Sequence, residues 1–263
     1  MKFLPETEII PFHVSPLQGE RVLILSPHPD DETLGCGGTV RLLVEAGKVV
    51  RVVFLTSGDK ADPENPAAQT AHEKKHITDY SLMREKEADK ALRILGVSEY
   101  MFLRFPDRGL FDNYSDVITR IKGLLLQNLD KPSASNCSLE FDTIYCPSPL
   151  ELNPDHRVAA RAVLELQKQH NFRIVFYEVA APIRPNIFVD ITKVFKIKCK
   201  AIRAYNSQLK IIDYLSVNNS LNKFRSLTLD KKVQYAEAFL VLENASEQGM
   251  LDDGWFNYKK PLV

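Results

Sequence analysis

A chain of 263 residues suits one large α/β domain or two small ones. Its 34 Lys and Arg are cancelled by 34 Asp and Glu, a formal net charge of +0, which argues against a nucleic-acid binder with a basic stripe and against a polybasic membrane anchor. Hydrophobic residues make up 44%, enough for a sizeable core, and no apolar run approaches the ~20 residues that cross a bilayer. Met1–Glu6 lacks the apolar run of a signal peptide, and Cys36, Cys137, Cys146 and Cys199 show no paired spacing. A reducing cytoplasm and free thiols are therefore expected.

Arg21–Leu25 is a short apolar run stopped by Ser26-Pro27 and reads as a buried strand. Gly35-Cys36-Gly37-Gly38 leads into a helix over Thr39–Ala46, closed by Gly47, and Val49–Leu55 is a second buried strand. Asp59–Tyr80 is polar, carries Pro63 and Pro66, and reads as a long loop, of the kind that is either a functional lid or disordered. Ser81–Leu95 has helical spacing and a Gly96 stop; Tyr100–Phe105 is a third strand and Val117–Leu129 a third helix. A Ser-, Pro- and Asn-rich linker, Lys131–Ser138, precedes a fourth strand at Phe141–Cys146 and a helix from Asp155 to about Gln169. Phe172–Val179 gives a fifth strand, Ile187–Asp190 a short extra one, and the chain from Thr192 onward reads as mostly helical, ending near Trp255, Phe256 and Tyr258. This alternation predicts a Rossmann-like, mostly parallel sheet with helices on both faces. A single domain is expected over 1–263, with its core at about 21–209 and a helical extension over about 210–263.

The block His28-Pro29-Asp30-Asp31-Glu32 directly follows the first buried strand, where open α/β sheets place ligands. From one tight loop His28 and Asp31 can reach the same metal ion, and zinc accepts both donor types at ~2.0–2.2 Å. Catalytic zinc takes three protein ligands and a water, so a third ligand must come from elsewhere; Asp30 suits a general base beside that water. Asn153-Pro154-Asp155-His156 opens the helix after the fourth strand, so His156 emerges at the same sheet edge and supplies that ligand. Two His and one carboxylate also form the facial triad of non-haem iron enzymes, which leaves an iron reading open.

Two further patterns are weighed and set aside. His72-Glu73-Lys74-Lys75-His76 fits the zinc-protease pattern, but it lies in a polar stretch beside two lysines and reads as an exposed lid segment. Gly35-x-Gly37-Gly38 hints at a dinucleotide loop, yet the carboxylates before it would repel a pyrophosphate; close helix–strand packing is the better reason for these glycines.

Ser26-Pro27-His28-Pro29-Asp30-Asp31-Glu32 resembles the signature of the LmbE-like, or PIG-L, family of N-acetyl sugar deacetylases. The resemblance spans roughly Arg21 to Leu209 and implies Zn2+ on His28, Asp31 and His156, with Asp30 as general base. It also implies an N-acetylated sugar or glycoconjugate as substrate and, as in many relatives, a homo-oligomer. The family's third ligand closes a His-x-Asp-His block, and here Asn153 stands where the first His usually does. A carboxamide can donate a hydrogen bond to an oxyanion but cannot supply a proton, so Asp30, once protonated, would return its proton to the leaving amine. Arg84 in Arg84-Glu85-Lys86-Glu87 and Asp107 in Phe105-Pro106-Asp107 match positions that bind substrate in the family. A sugar-binding relative impaired in turnover is the remaining alternative, motivated by Asn153.

Overall fold

The computed structural model describes residue 6 and residues 10–62, 78–126 and 139–251. Seven strands, β1 (Arg21–Ser26), β2 (Val49–Thr56), β3 (Glu99–Phe105), β4 (Thr143–Pro147), β5 (Arg173–Tyr177), β6 (Ile187–Asp190) and β7 (Ala236–Leu242), form one sheet in the order β3-β2-β1-β4-β5-β7-β6. The first five are parallel neighbours, and β7 runs antiparallel between β5 and β6. The helices are α1 (Asp31–Glu45), α2 (Asp79–Leu95), α3 (Tyr114–Leu125), α4 (Pro154–Gln167), α5 (Phe195–Ile202), α6 (Asn206–Leu209) and α7 (Tyr214–Arg225).

Alternation along the strands divides the core in two. Val22 and Ile24 of β1 face α1, α2 and α5, whereas Leu23 and Leu25 face α3 and α4. Both faces of β1 are thus covered, which is why its sequence is apolar without interruption. The chain reverses direction across the sheet between β1 and β4, opening a crevice at their C-terminal ends. His28 and His156 enter from the two sides of that crevice.

Three expectations need correction. The helix after β1 begins at Asp31, not Thr39, so the His28–Glu32 block runs directly into a helix N-terminus. The third helix occupies Tyr114–Leu125, a few residues earlier than expected. The chain after Thr192 is not simply a helical elaboration, because β7 completes the sheet. Ala236-Glu237-Ala238 favours helix locally, and pairing with β5 and β6 overrides that propensity. Two of the three glycines pack closely: a Cβ on Gly35 would lie 2.1 Å from the Tyr177 ring and one on Gly38 2.7 Å from Ile191, whereas one on Gly37 would meet nothing nearer than 3.5 Å.

Cys36, Cys146 and Cys199 are free thiols. Among the described residues no helix is long and apolar enough to cross a membrane. His72 and His76, the Lys131–Ser138 linker, Cys137 and the Trp255–Tyr258 region lie outside the described residues.

Candidate active site

The loop after β1 is held from both sides. The Thr56 hydroxyl and amide donate to the Pro27 carbonyl at 2.7 and 2.9 Å, tying the loop to β2. Glu32, fully buried, accepts from the Ser26 hydroxyl at 3.1 Å, the Asp30 amide at 3.2 Å and the Tyr205 hydroxyl at 2.5 Å. The His28 amide donates to Asp31 Oδ2 at 2.8 Å.

This framework brings three donor atoms together. His28 Nδ1 lies 3.2 Å from Asp31 Oδ2 and 3.2 Å from His156 Nε2, and His156 Nε2 lies 3.0 Å from Asp31 Oδ2. Metal–ligand distances of ~2.0–2.2 Å give a tetrahedral edge of about 3.3 Å, so the three atoms match one face of a tetrahedral site. The outward nitrogens fit the same reading. His28 Nε2 faces Asp107 Oδ1 at 3.2 Å and Asp155 Oδ2 at 3.5 Å, and among the described residues His156 Nδ1 has no closer partner than Glu151 Oε2 at 3.6 Å. A carboxylate on the far nitrogen is what fixes the tautomer and orientation of a metal-binding histidine. The residues present therefore fit a divalent ion, with a ligand position left for water or substrate.

The carboxylates dominate the local electrostatics. Burial works against protonation of both histidines, but the carboxylates outweigh it: His28 is raised well above its ordinary range, chiefly by Asp107, and His156 is pushed up to about 9 by Asp31. Burial would raise Asp31 and Asp107, yet His156 holds Asp31 far below the usual carboxylate range and His28 brings Asp107 down to about 2. An assembly so biased toward charged histidines is primed to exchange protons for a metal cation.

Asp30 stands apart. It caps α1 with φ 136, a left-handed conformation that costs a non-glycine residue about 1–3 kcal/mol and persists only when its surroundings enforce it. The enforcement comes from Arg84. Its buried guanidinium donates to the carbonyls of Pro29 and Gly58 and lies 3.2 Å from the Asp30 carboxylate. Burial pushes Asp30 up to about 7, Arg84 pulls against that rise, and Asp31 adds to it.

The expected residues thus fall into distinct places. His28, Asp31 and His156 converge, Asp30 lies beside Asp31 against Arg84, and Asp107 backs His28. Arg84 is almost fully buried behind the loop. Asn153 caps α4, its Oδ1 accepting from the Asp155 amide at 2.9 Å. The sequence reading missed Glu151, which lies behind His156 and accepts from the amides of Val179 at 2.6 Å and Ala180 at 3.1 Å. It also gave no role to Asp155, which accepts from the amides of Arg108 at 2.6 Å and Leu110 at 3.2 Å, or to Glu32. Position within the Asn153–His156 block was a signal for Asp155; Glu151 had none.

Residues 23–167, more than half of the chain, match the family described as PIG-L, GlcNAc-PI de-N-acetylase. The chain belongs to the PIG-L family. Among its relatives, the diacetylchitobiose deacetylase of Thermococcus kodakarensis is 27% identical over 72% of this chain and 70% of its own length. A Bacillus cereus protein named "Probable N-acetyl-alpha-D-glucosaminyl L-malate deacetylase 2" is 28% identical over 71% of this chain and 83% of its own. In fold, the chain resembles the N,N'-diacetylchitobiose deacetylase of Pyrococcus horikoshii with a TM-score of 0.66, at 23% identity, covering 90% of this chain and 89% of that one. The first two relatives are named as deacetylases of N-acetylated sugars, and the chain shares its fold with the Pyrococcus structure.

Proposed function

We propose that this PIG-L protein is a zinc-dependent hydrolase that removes an N-acyl group, most simply acetyl, from an amino sugar or glycoconjugate. The observation that carries the reading is the triangle of His28 Nδ1, Asp31 Oδ2 and His156 Nε2, with sides of 3.0–3.2 Å and carboxylates behind both rings. A zinc ion held by these atoms would polarise the acyl carbonyl and acidify a water molecule.

The rest is done by the chain's own groups. Asp30 takes a proton from the attacking water as the C–O bond forms. Asn153, whose Oδ1 accepts from the Asp155 amide, would donate from its NH2 group to the oxyanion. As the C–N bond breaks, Asp30 returns its proton to the departing nitrogen, leaving a free amine and a carboxylate. Arg84 stays charged throughout and holds Asp30 in place.

The test is an amine-release screen over N-acetylated mono- and disaccharides and glycoconjugates, using zinc-loaded, chelated and Asp30→Asn protein. Release by zinc-loaded wild type alone is expected. Turnover that survives chelation, or that requires iron, overturns the zinc assignment; tight sugar binding with no release from any substrate favours a binding protein instead.

A further inference from the structure

Helix α1 is broken at Cys36, whose φ of −140 and ψ of 18 lie outside the helical region. In an unbroken helix the Leu34 carbonyl would take the Gly38 N–H. Here both groups have partners from distant segments. Gly38 N–H donates to Glu237 Oε1 at 2.8 Å, Thr39 N–H donates to Glu237 Oε2 at 2.7 Å, and the Leu34 carbonyl accepts from Lys198 Nζ at 2.9 Å. Lys198 and Glu237 are themselves paired at 2.7 Å with side chains 0% and 1% exposed. Asn222 completes the group, accepting from Lys198 at 3.0 Å and donating to the Ala236 carbonyl at 3.1 Å.

The ion pair thus stands in the gap, in the polarity the gap requires. A cation meets the carbonyl end of the short N-terminal piece, and a carboxylate caps the amide end of the long piece. The short piece, Asp31–Gly35, carries the metal ligand Asp31 and is entered through Asp30. Gly35 presses on Tyr177, whose hydroxyl donates to the Leu25 carbonyl at 2.8 Å, so the piece is also fixed laterally. Lys198, Asn222 and Glu237 come from α5, α7 and β7, all beyond the stretch that matches the family. A salt bridge so buried is a poor source of net stability, because desolvation offsets its attraction. Its place in the helix break gives it another use.

We infer that Lys198 and Glu237, steadied by Asn222, are positioning residues for the active site: they set where the first turn of α1 holds Asp30 and Asp31. The inference rests on the metal reading above and assigns part of that site's geometry to the C-terminal third of the chain.

Hydrogen exchange of the metal-free full-length protein and zinc affinity by chelator competition together test it. In Lys198→Met and Glu237→Gln, amides of the 31–35 turn should exchange faster, while those of β2 and α4 keep wild-type protection. Zinc should bind about 10–100-fold more weakly, as when the supporting shell of a metal site is removed. Asn222→Ala takes away one contact of the ammonium, should move both readouts the same way by less, and serves if the other variants do not fold. Unchanged exchange in the 31–35 turn with unchanged zinc affinity overturns the inference, as does a uniform rise across the sheet, which marks a purely structural pair. If wild type binds no zinc, the hydrolase reading falls, and the exchange pattern still decides the positioning role.

Discussion

The Arg84 guanidinium lies 3.2 Å from the Asp30 carboxylate, and both side chains are buried. Arg84 draws the Asp30 pKa down, so losing its charge should raise it, and a base that must be ionised then works only at higher pH. The acidic limb of kcat/KM in Arg84→Met is expected to move alkaline, while Arg84→Lys keeps most of the wild-type profile. A rise in KM with an unmoved limb would show that Arg84 serves the substrate, the role its family position implies.

Gly58 offers a gentler perturbation of the same pair. It sits at φ 63, and a Cβ there would lie 2.5 Å from Arg84 Nη1. Gly58→Ala should lower stability by about 1 kcal/mol or more through its backbone alone. It should also displace Arg84 and reduce turnover, with metal content intact. Thermal melts and metal analysis check both halves; a variant with wild-type turnover would show that the position of Arg84 tolerates displacement.

Metal binding should release protons. In the metal-free protein His156 stays protonated up to about pH 9, and the ion must displace that proton. Affinity is therefore expected to fall as pH falls between about 8 and 6, by up to about tenfold per pH unit for each proton displaced. Calorimetry in buffers of differing ionisation enthalpy measures the release. Affinity that is flat with pH contradicts the ligand set, and His28→Ala, Asp31→Ala and His156→Ala should each abolish binding.

Glu151→Gln keeps the side chain's shape and one oxygen for the Val179 and Ala180 amides, so the fold should survive. It removes the charge behind His156 Nδ1, and zinc affinity should drop about 10–100-fold. Equal affinity in titrations of wild type and variant would mean that Glu151 merely ties two loops together.

Asp30→Asn should retain zinc and lose about 10²–10⁴ in rate, the usual consequence of removing a general base. Near-wild-type turnover in the zinc-loaded variant would leave water activation to the metal alone.

The inner parallel strands β1, β4 and β5 were legible because they are short, buried apolar runs. The convergence of His28, Asp31 and His156 was legible because the first two share one loop and His156 opens a helix at the neighbouring strand end. β7 was not, since Ala236-Glu237-Ala238 reads as helix until β5 and β6 pair with it. The start of α1 was obscured by Gly35, Gly37 and Gly38, poor helix formers, of which Gly35 and Gly38 are needed for contacts with Tyr177 and Ile191 that no local pattern reveals. Glu151 lay hidden because its partners, the amides after β5, are far away in sequence.

The placement of β7 has a consequence for how the protein is made. It is inserted between β5 and β6, although it is the last of the seven strands to be synthesised. Until it arrives, the outer edge of β5 lacks its partner and the break in α1 lacks Glu237. A nascent chain that has already emitted His28, Asp31 and His156 therefore holds all three proposed ligands and still lacks the partner of Lys198 at the break in α1. A ribosome stalled before residue 236 would therefore display an exposed strand edge on β5, and the positioning role proposed for Glu237 would be supplied only after that segment is released.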